Sequence, residues 1–149
     1  MPFVIDLNVM RTAWIGKDPH GNTDNDCLLL LSGIQKKCDK VIVTDEIDRR
    51  YLRLYDELGG KYPQGPSLLN CMKLYLRWKQ VRKVDDSRLS SQLPRLRNES
   101  KIKDEDIEFA RLTSVTGATL VTYDEPLIEL GRELGFAAMK PSDARILLP

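Results

Sequence analysis

The sequence predicts an α/β protein, built as a three-layer α/β/α sandwich around a central parallel sheet. Short, nearly continuous apolar runs alternate along the chain with longer segments whose apolar residues have helical spacing. Strands that are buried on both faces give such runs, and parallel strands need helical crossovers between them. The chain has 149 residues, which is enough for one domain of this kind and too few for two. We therefore expect a single domain over residues 1–149.

The elements of the first half are predicted from apolar spacing and from capping residues. We expect a strand in PFVIDLNV, a helix around NDCLLLLSGIQKK and a strand in KVIVT. Thr44 can cap the next helix, DEIDRRYLRLYDEL, and we expect Gly59 and Gly60 to end it. After the breaker YPQGP, the apolar spacing of SLLNCMKLYLRWKQVRKV predicts a helix. This helix opens a basic, helical segment over residues 66–103 or so.

The last third gives the clearest alternation of helices and strands. A helix is predicted in KDEDIEFARLTSVTG and is closed by Gly117. It is followed by a strand in ATLVTY, a helix in EPLIELGREL and a last strand in FAAMK. Each strand again follows a helix, which fits the parallel sheet.

Composition excludes several classes of protein. Cys27, Cys38 and Cys71 are odd in number and form no C-x-x-C pair, which argues against a disulfide framework and a structural zinc site. His20 is the only histidine, and we expect it to be an ordinary surface residue in a mobile loop. No apolar stretch is long enough to cross a membrane, and the N-terminus lacks a signal-peptide pattern. We therefore expect a cytoplasmic protein with reduced thiols.

Charge is nearly balanced overall but unevenly distributed. Residues 68–103 contain ten Lys and Arg against three Asp and Glu, whereas both flanking segments are acidic. Aromatic side chains lie within the basic stretch, and single-stranded nucleic acids are bound by cations together with stacking rings. The candidate nucleic-acid-binding residues are Lys73, Arg77, Lys79 and Arg82. A solvated helix face is the equally weighted alternative.

Two acids stand where predicted strands end. Asp6 interrupts the first apolar run, and Asp124 follows ATLVTY, while further acids occupy the first turns of helices. In parallel sheets ligands bind outside the carboxyl ends of the strands. Carboxylates that converge there repel one another unless a cation lies among them, and hard oxygen ligands favour Mg²⁺ or Mn²⁺. Helix capping is the alternative role for the acids in first turns.

Three stretches together resemble the PIN-domain nucleases. They are VIDLNV, DIEFARLTSVTGATLVTYDEPLIELGRELGF and MKPSDARILL, which are similar to family signatures such as V-x-D-T-N-V and V-T-x-D. The resemblance is firm over the first strand and over residues 104–147, and loose between residues 60 and 100. It implies a PIN-like fold in which Asp6, Asp106 and Asp124 are catalytic and hold the metal, supported by Asn8 and Thr122.

One family position does not match. In the family, a Ser or Thr at the end of the second strand is followed six residues later by a Glu, and counting from Thr44 gives Arg50. Glu46 lies four residues before Arg50, so it shares that helix face one turn closer to the strand. Glu46 is the candidate replacement as the fourth catalytic acid. The alternative is that Arg50 neutralises part of the cluster and leaves the site weak or inactive.

The resemblance implies a metal-dependent ribonuclease that hydrolyses phosphodiesters of single-stranded RNA with Mg²⁺ or Mn²⁺. The alternative is a catalytically degenerate PIN-fold protein that binds RNA or a protein partner. A homodimer and an antitoxin partner are further family expectations, and toxin and RNA-processing roles both stay open. A receiver domain is disfavoured because DLNV supplies one acid rather than a pair, and a dehalogenase-type phosphatase because residue 8 is Asn rather than Asp.

Overall fold

The computed structural model describes residues 1–37, 39–62, 81–83 and 103–148. Its five strands form one parallel sheet in the order β3-β2-β1-β4-β5. The strands are β1 (Pro2–Ile5), β2 (Lys40–Val43), β3 (Val81–Lys83), β4 (Thr119–Val121) and β5 (Ala138–Met139). The helices of the described part are α1 (Leu7–Ile15), α2 (Asp26–Lys36), α3 (Asp45–Lys61), α4 (Asp104–Thr116), α5 (Glu125–Leu134) and α6 (Pro141–Ile146).

The helices cover the sheet in two groups. α1 packs against α2 and α3, and α2 also packs against α6, whereas α4 packs against α5, β1 and β4. Phe3, Val4 and Ile5 of the central strand are fully buried, as are the side chains of Val41 and Leu120 in the neighbouring strands. The predicted three-layer α/β/α sandwich with a central parallel sheet is confirmed.

The first strand is shorter than predicted, because a helix begins within the same apolar run. β1 ends at Ile5, Asp6 adopts an extended conformation, and α1 starts at Leu7. Val9, Met10 and Ala13 lie on one buried face of α1. Their spacing is typical of a helix, although the run VIDLNV on its own also fits a strand. The prediction of a strand through Val9 is therefore wrong. Gly16, with φ 80°, ends α1 in the left-handed region that favours glycine.

The third helix begins as predicted and ends later. The Thr44 hydroxyl accepts a hydrogen bond from the backbone N–H of Ile47 at 3.1 Å, which confirms the cap. However, Gly59 and Gly60 lie inside α3, which continues to Lys61. Leu58 is fully buried one turn before the end, so packing of this turn offsets the unfavourable helix propensity of glycine.

Strand β3 corrects the prediction of a helix through residues 81–83. Its backbone pairs in parallel with β2, with Val81, Arg82 and Lys83 opposite Val41, Ile42 and Val43. Pairing with a neighbouring strand thus overrides the local helical spacing, as tertiary context often does. Apart from Lys103, the rest of the basic segment lies outside the described residues, including the predicted helix before residue 81.

Candidate active site at the carboxyl ends of β1 and β4

The strand order creates a crevice between the two central strands. The chain moves outward from β1 through β2 to β3, then returns to the other side of β1 with β4 and β5. Such a reversal is a topological switch point, and ligands of open parallel sheets bind outside the strand ends there. Ile5 is paired with Val121, so Asp6 and Thr122 follow the two strands side by side.

Asp6 is a buried carboxylate at the end of the central strand. Its residue is 4% exposed, and its backbone N–H donates to the carbonyl of Val121 at 3.0 Å. The adjoining carbonyl of Ile5 accepts a hydrogen bond from the Tyr51 hydroxyl of α3, which fixes the strand end from the other side. Desolvation by burial raises the pKa of Asp6, more than its hydrogen bonds lower it.

Thr122 links the two strand-end acids. Its hydroxyl donates to Oδ2 of Asp6 at 2.6 Å and accepts from the backbone N–H of Asp124 at 2.9 Å. Asn8, on the first turn of α1, accepts a hydrogen bond from the backbone N–H of Tyr123 at 3.4 Å. Thr122 thus contacts both acids, and Asn8 contacts the residue that precedes Asp124.

Asp106 joins these acids from the first turn of α4. Its pKa is raised to about 6, first by desolvation, then by the charges of Asp6 and Asp124, and by a side-chain hydrogen bond with Asp124. The three predicted metal-binding acids are therefore close enough to alter each other's ionisation.

These acids line an open cavity of about 800 Å³. Besides the three aspartates, it is lined by Leu7, Asn8, Asp18, Pro19, His20, Lys103, Glu105, Phe109, Tyr123, Glu125 and Lys140. Carboxylates outnumber the two lysines, and one of these, Lys140, is paired with Glu125 at 2.6 Å. A cavity with this excess of negative charge favours cations over anions.

In this structure the three acids are not arranged as a complete set of metal ligands. Among the residues for which the structure gives a placement, no three or more His, Cys, Asp or Glu side chains are grouped so as to hold a metal ion. The donor types fit Mg²⁺ or Mn²⁺, which take oxygen ligands.

Glu46 does not line the cavity. Its carboxylate is bound instead to Arg49 at 3.0 Å, Arg53 at 3.2 Å and Arg50 at 3.4 Å. Desolvation acts to raise the pKa of Glu46, but the charges of Arg49 and Arg50 outweigh it and the pKa is lowered. The structure thus places the predicted fourth acid among cations on α3 rather than with the three aspartates.

Arg50 connects α3 to α4. Its guanidinium donates to the carbonyl of Glu105 at 2.8 Å and pairs with Glu108 at 3.1 Å as well as with Glu46. Both acceptors on α4 lie within two residues of Asp106. Arg50 therefore fixes the helix that carries Asp106, and its contacts are with Glu46 and α4 rather than with the aspartates of the cavity.

The sequence did not predict the ordered turn that borders the cavity. The Asp18 carboxylate accepts hydrogen bonds from the backbone N–H groups of His20 and Asn22, both at 2.9 Å. Hydrogen bonding, above all from Asn22, lowers the pKa of Asp18. Lys17 and Thr23 form an isolated antiparallel bridge across the same turn. The predicted mobile loop is thus a small hairpin, and an Asp two residues before His was the available signal.

Tyr123 forms a second feature that the motifs did not reveal. Its hydroxyl donates to Asp24 at 2.5 Å and lies 3.0 Å from the thiol of Cys27, which is fully buried. Desolvation, followed by these hydrogen bonds, raises the pKa of Tyr123. The network joins the end of β4 to the start of α2 and holds this wall of the cavity in place.

A smaller cavity of about 280 Å³ adjoins the first. It shares Asn8, Asp18 and Pro19 with the larger cavity, and the rest of its lining is Arg11, Thr12, Ile15 and Lys17.

Three of the predicted nucleic-acid-binding residues, Lys73, Arg77 and Lys79, lie outside the described residues. The fourth, Arg82, is placed by its backbone on β3.

Comparison with known proteins supports the fold. A solved structure of VapBC2 from Rickettsia felis, bound to a DNA fragment from their promoter, matches 93% of this chain and 97% of that chain. The TM-score is 0.56 and the sequence identity is 17%. No family model matches the sequence, and no curated protein matches it. The likeness agrees with the PIN-like fold that the motifs predict.

In the part of the chain that the structure describes, no helix is both long and apolar enough to span a membrane.

Proposed function

We propose that this chain is a PIN-domain ribonuclease that hydrolyses phosphodiester bonds of single-stranded RNA with Mg²⁺ or Mn²⁺. The observation that carries the proposal is the convergence of Asp6, Asp106 and Asp124, from three separate elements, at the switch point of the sheet. A buried carboxylate and a raised pKa are costly to a folded protein. Perturbed acids in a cleft indicate a functional site.

The proposed metal ligands are Asp6, Asp106 and Asp124. A divalent cation held there would polarise a phosphate and lower the pKa of an attacking water. The hydrogen bond from Thr122 to Oδ2 of Asp6 orients the carboxylate that would bind the cation. A cation held beside Asp106 would favour its ionised form and so lower its raised pKa.

No Ser, Thr or Cys is among the described residues that line this cavity. Cys27 is buried beneath Tyr123, and His20 is the sole histidine of the sequence. The acids of the cavity and an activated water are therefore the chemistry that fits best. Mg²⁺ and Mn²⁺ are both compatible with these oxygen donors.

A catalytically degenerate PIN-fold protein that binds RNA or a protein partner is the second candidate. Arg50 occupies the position at which the family has a Glu, and Glu46 is held by three arginines away from the cavity. The site then has three acids rather than four. From the family resemblance we also propose a cytoplasmic location, a homodimer and a protein partner of the antitoxin kind.

Cleavage of labelled single-stranded RNA separates the two candidates. The parent should cut the RNA with Mn²⁺ or Mg²⁺ and should stop when EDTA is added. Asp6→Asn and Asp124→Asn should each lose most of this activity, because an amide is a poorer ligand for a hard cation than a carboxylate. Asp56→Asn is the matched control, since Asp56 is exposed on α3 away from the cavity.

Two results would contradict the proposal of a nuclease that acts through these acids. The first is a parent that leaves the RNA intact with either metal, which favours the degenerate protein. The second is cleavage that persists in Asp6→Asn and Asp124→Asn, which would indicate a contaminating enzyme or another site.

A further inference from the structure

We propose that the two adjoining cavities form one groove, in which Arg11 and Lys17 bind a backbone phosphate of the RNA beside the scissile bond. The inference rests on the proposed function for its substrate class. The cavities share Asn8, Asp18 and Pro19 as lining residues, so the second cavity adjoins the one that holds the acid cluster.

One face of α1 forms the floor of this groove. Asn8, Arg11, Thr12 and Ile15 follow the i, i+3, i+4, i+7 spacing of a single helical stripe, and all four line the second cavity. Asp6 immediately precedes the helix. With a rise of about 1.5 Å per residue, Arg11 lies some ~7.5 Å along the helix from Asp6. Stacked nucleotides advance by about 3.4 Å each, so this distance corresponds to about two nucleotides.

The two cavities differ in charge. The first is dominated by carboxylates, whereas the second contains Arg11 and Lys17 against the single acid Asp18. The Asp18 carboxylate is already engaged by the backbone N–H groups of His20 and Asn22. A nucleic acid whose reacting phosphate lies at a cation in the first cavity would therefore find uncompensated positive charge for its neighbouring phosphate.

Both cations are held without being neutralised. Arg11 pairs with Glu57 at 3.6 Å, but Glu57 also pairs with Lys61 at 3.5 Å, so the three side chains together keep a positive charge. Lys17 is exposed, and its backbone is fixed by the bridge to Thr23. The geometry thus offers two accessible cations on an ordered wall.

The test is the salt dependence of RNA binding, measured by fluorescence anisotropy with a labelled single-stranded RNA octamer in EDTA. Replacement of both Arg11 and Lys17 by Ala should weaken binding and flatten the log–log salt slope by about ~1.4, at roughly 0.7 for each lost phosphate contact. The double variant Lys36→Ala, Lys37→Ala removes the same charge from the end of α2 and should keep the parent slope.

Glu57→Gln separates a phosphate contact from a structural effect. It breaks the same ion pair as Arg11→Ala but leaves the guanidinium in place, so it should bind RNA as well as the parent or better. Weaker binding by Glu57→Gln would mean that the pair acts by holding the structure, which contradicts the proposal.

Different results would reject the proposed groove and the proposed function. An unchanged slope in the Arg11 and Lys17 double variant overturns the groove even if the protein cleaves RNA, and so does a parent that shows no salt-dependent binding. A flattened slope in a protein that never cleaves supports the groove and rejects the nuclease.

Discussion

Asp106→Asn should stabilise the metal-free protein at pH 8 while destroying its response to metal. The carboxyl pKa is about 6 in the folded protein against 3.8 for an ordinary Asp. A raised carboxyl pKa means that the folded state binds more protons than the unfolded state between these values. Stability therefore falls as pH rises from about 4 through 6, and the penalty is complete above that range. Asn carries no charge and avoids this penalty.

The magnitude follows from the size of the pKa shift. A shift of about two units corresponds to roughly 3 kcal/mol at about 1.36 kcal/mol per unit. Asp106 is only half buried, so solvent screening reduces this figure, and we expect a gain of about 1–2 kcal/mol at pH 8. Below pH 3.8 the parent carboxyl is protonated in both states, and the gain should vanish.

Urea denaturation at a series of pH values measures the difference. The free energy of unfolding of Asp106→Asn minus that of the parent should rise from near zero at acid pH to its full value at pH 8. Asp56→Asn, at an exposed position on α3, should show no such rise. A variant that is less stable than the parent at pH 8, or a gain that does not depend on pH, would refute the electrostatic coupling of the three acids.

Three further outcomes are expected. Mn²⁺ at about 100 times its dissociation constant should stabilise the parent by about 2.7 kcal/mol, or some ~5–10 °C in Tm, and Asp6→Asn should lose this rise in a thermal-shift assay. An equal rise in the variant would place the cation elsewhere. Thr122→Val leaves the buried Asp6 carboxylate without its hydroxyl donor and should cost about 1–3 kcal/mol in denaturation at pH 8; a neutral effect would mean that the bond is dispensable. Glu46→Gln should keep the metal response, because Glu46 does not line the cavity, whereas Arg50→Ala should destabilise the fold through its lost contacts with α4. A metal response lost in Glu46→Gln alone would return Glu46 to the site.

The part of the fold that the sequence predicts well depends on local signals that agree with the tertiary structure. Thr44 caps α3 as predicted, and Gly117, with φ 67°, closes α4 before β4 begins. The apolar runs that precede Asp6 and Asp124 predict both at strand ends, and a carboxylate has no structural benefit to the apolar strand that Asp6 follows. Their meeting follows from a parallel sheet with β1 beside β4.

The missed features depend on contacts between distant residues. VIDLNV fits a strand and a helix equally, and the burial of Val9 and Met10 against the rest of the core decides in favour of α1. Residues 81–83 become a strand because they pair with β2. Glu46 shares a helix face with Arg50, yet spacing alone cannot show that three guanidiniums surround it.

The sequence patterns do not predict the second cavity either. Arg11 belongs to a helix that was not predicted, and Lys17 to a loop that was expected to be mobile. Neither residue lies in a motif of the resembled family, so their approach to the acid cluster becomes visible only when α1 and the Asp18 turn are placed together.

Anomalous diffraction from crystals grown with Mn²⁺ tests the central claim most directly. The account predicts a manganese peak beside the carboxyl ends of β1 and β4, with carboxylate oxygens of Asp6, Asp106 and Asp124 about 2 Å away. A manganese ion bound elsewhere, or a cavity in which these three carboxylates do not coordinate it at saturating Mn²⁺, would contradict the assignment of this site as a metal centre.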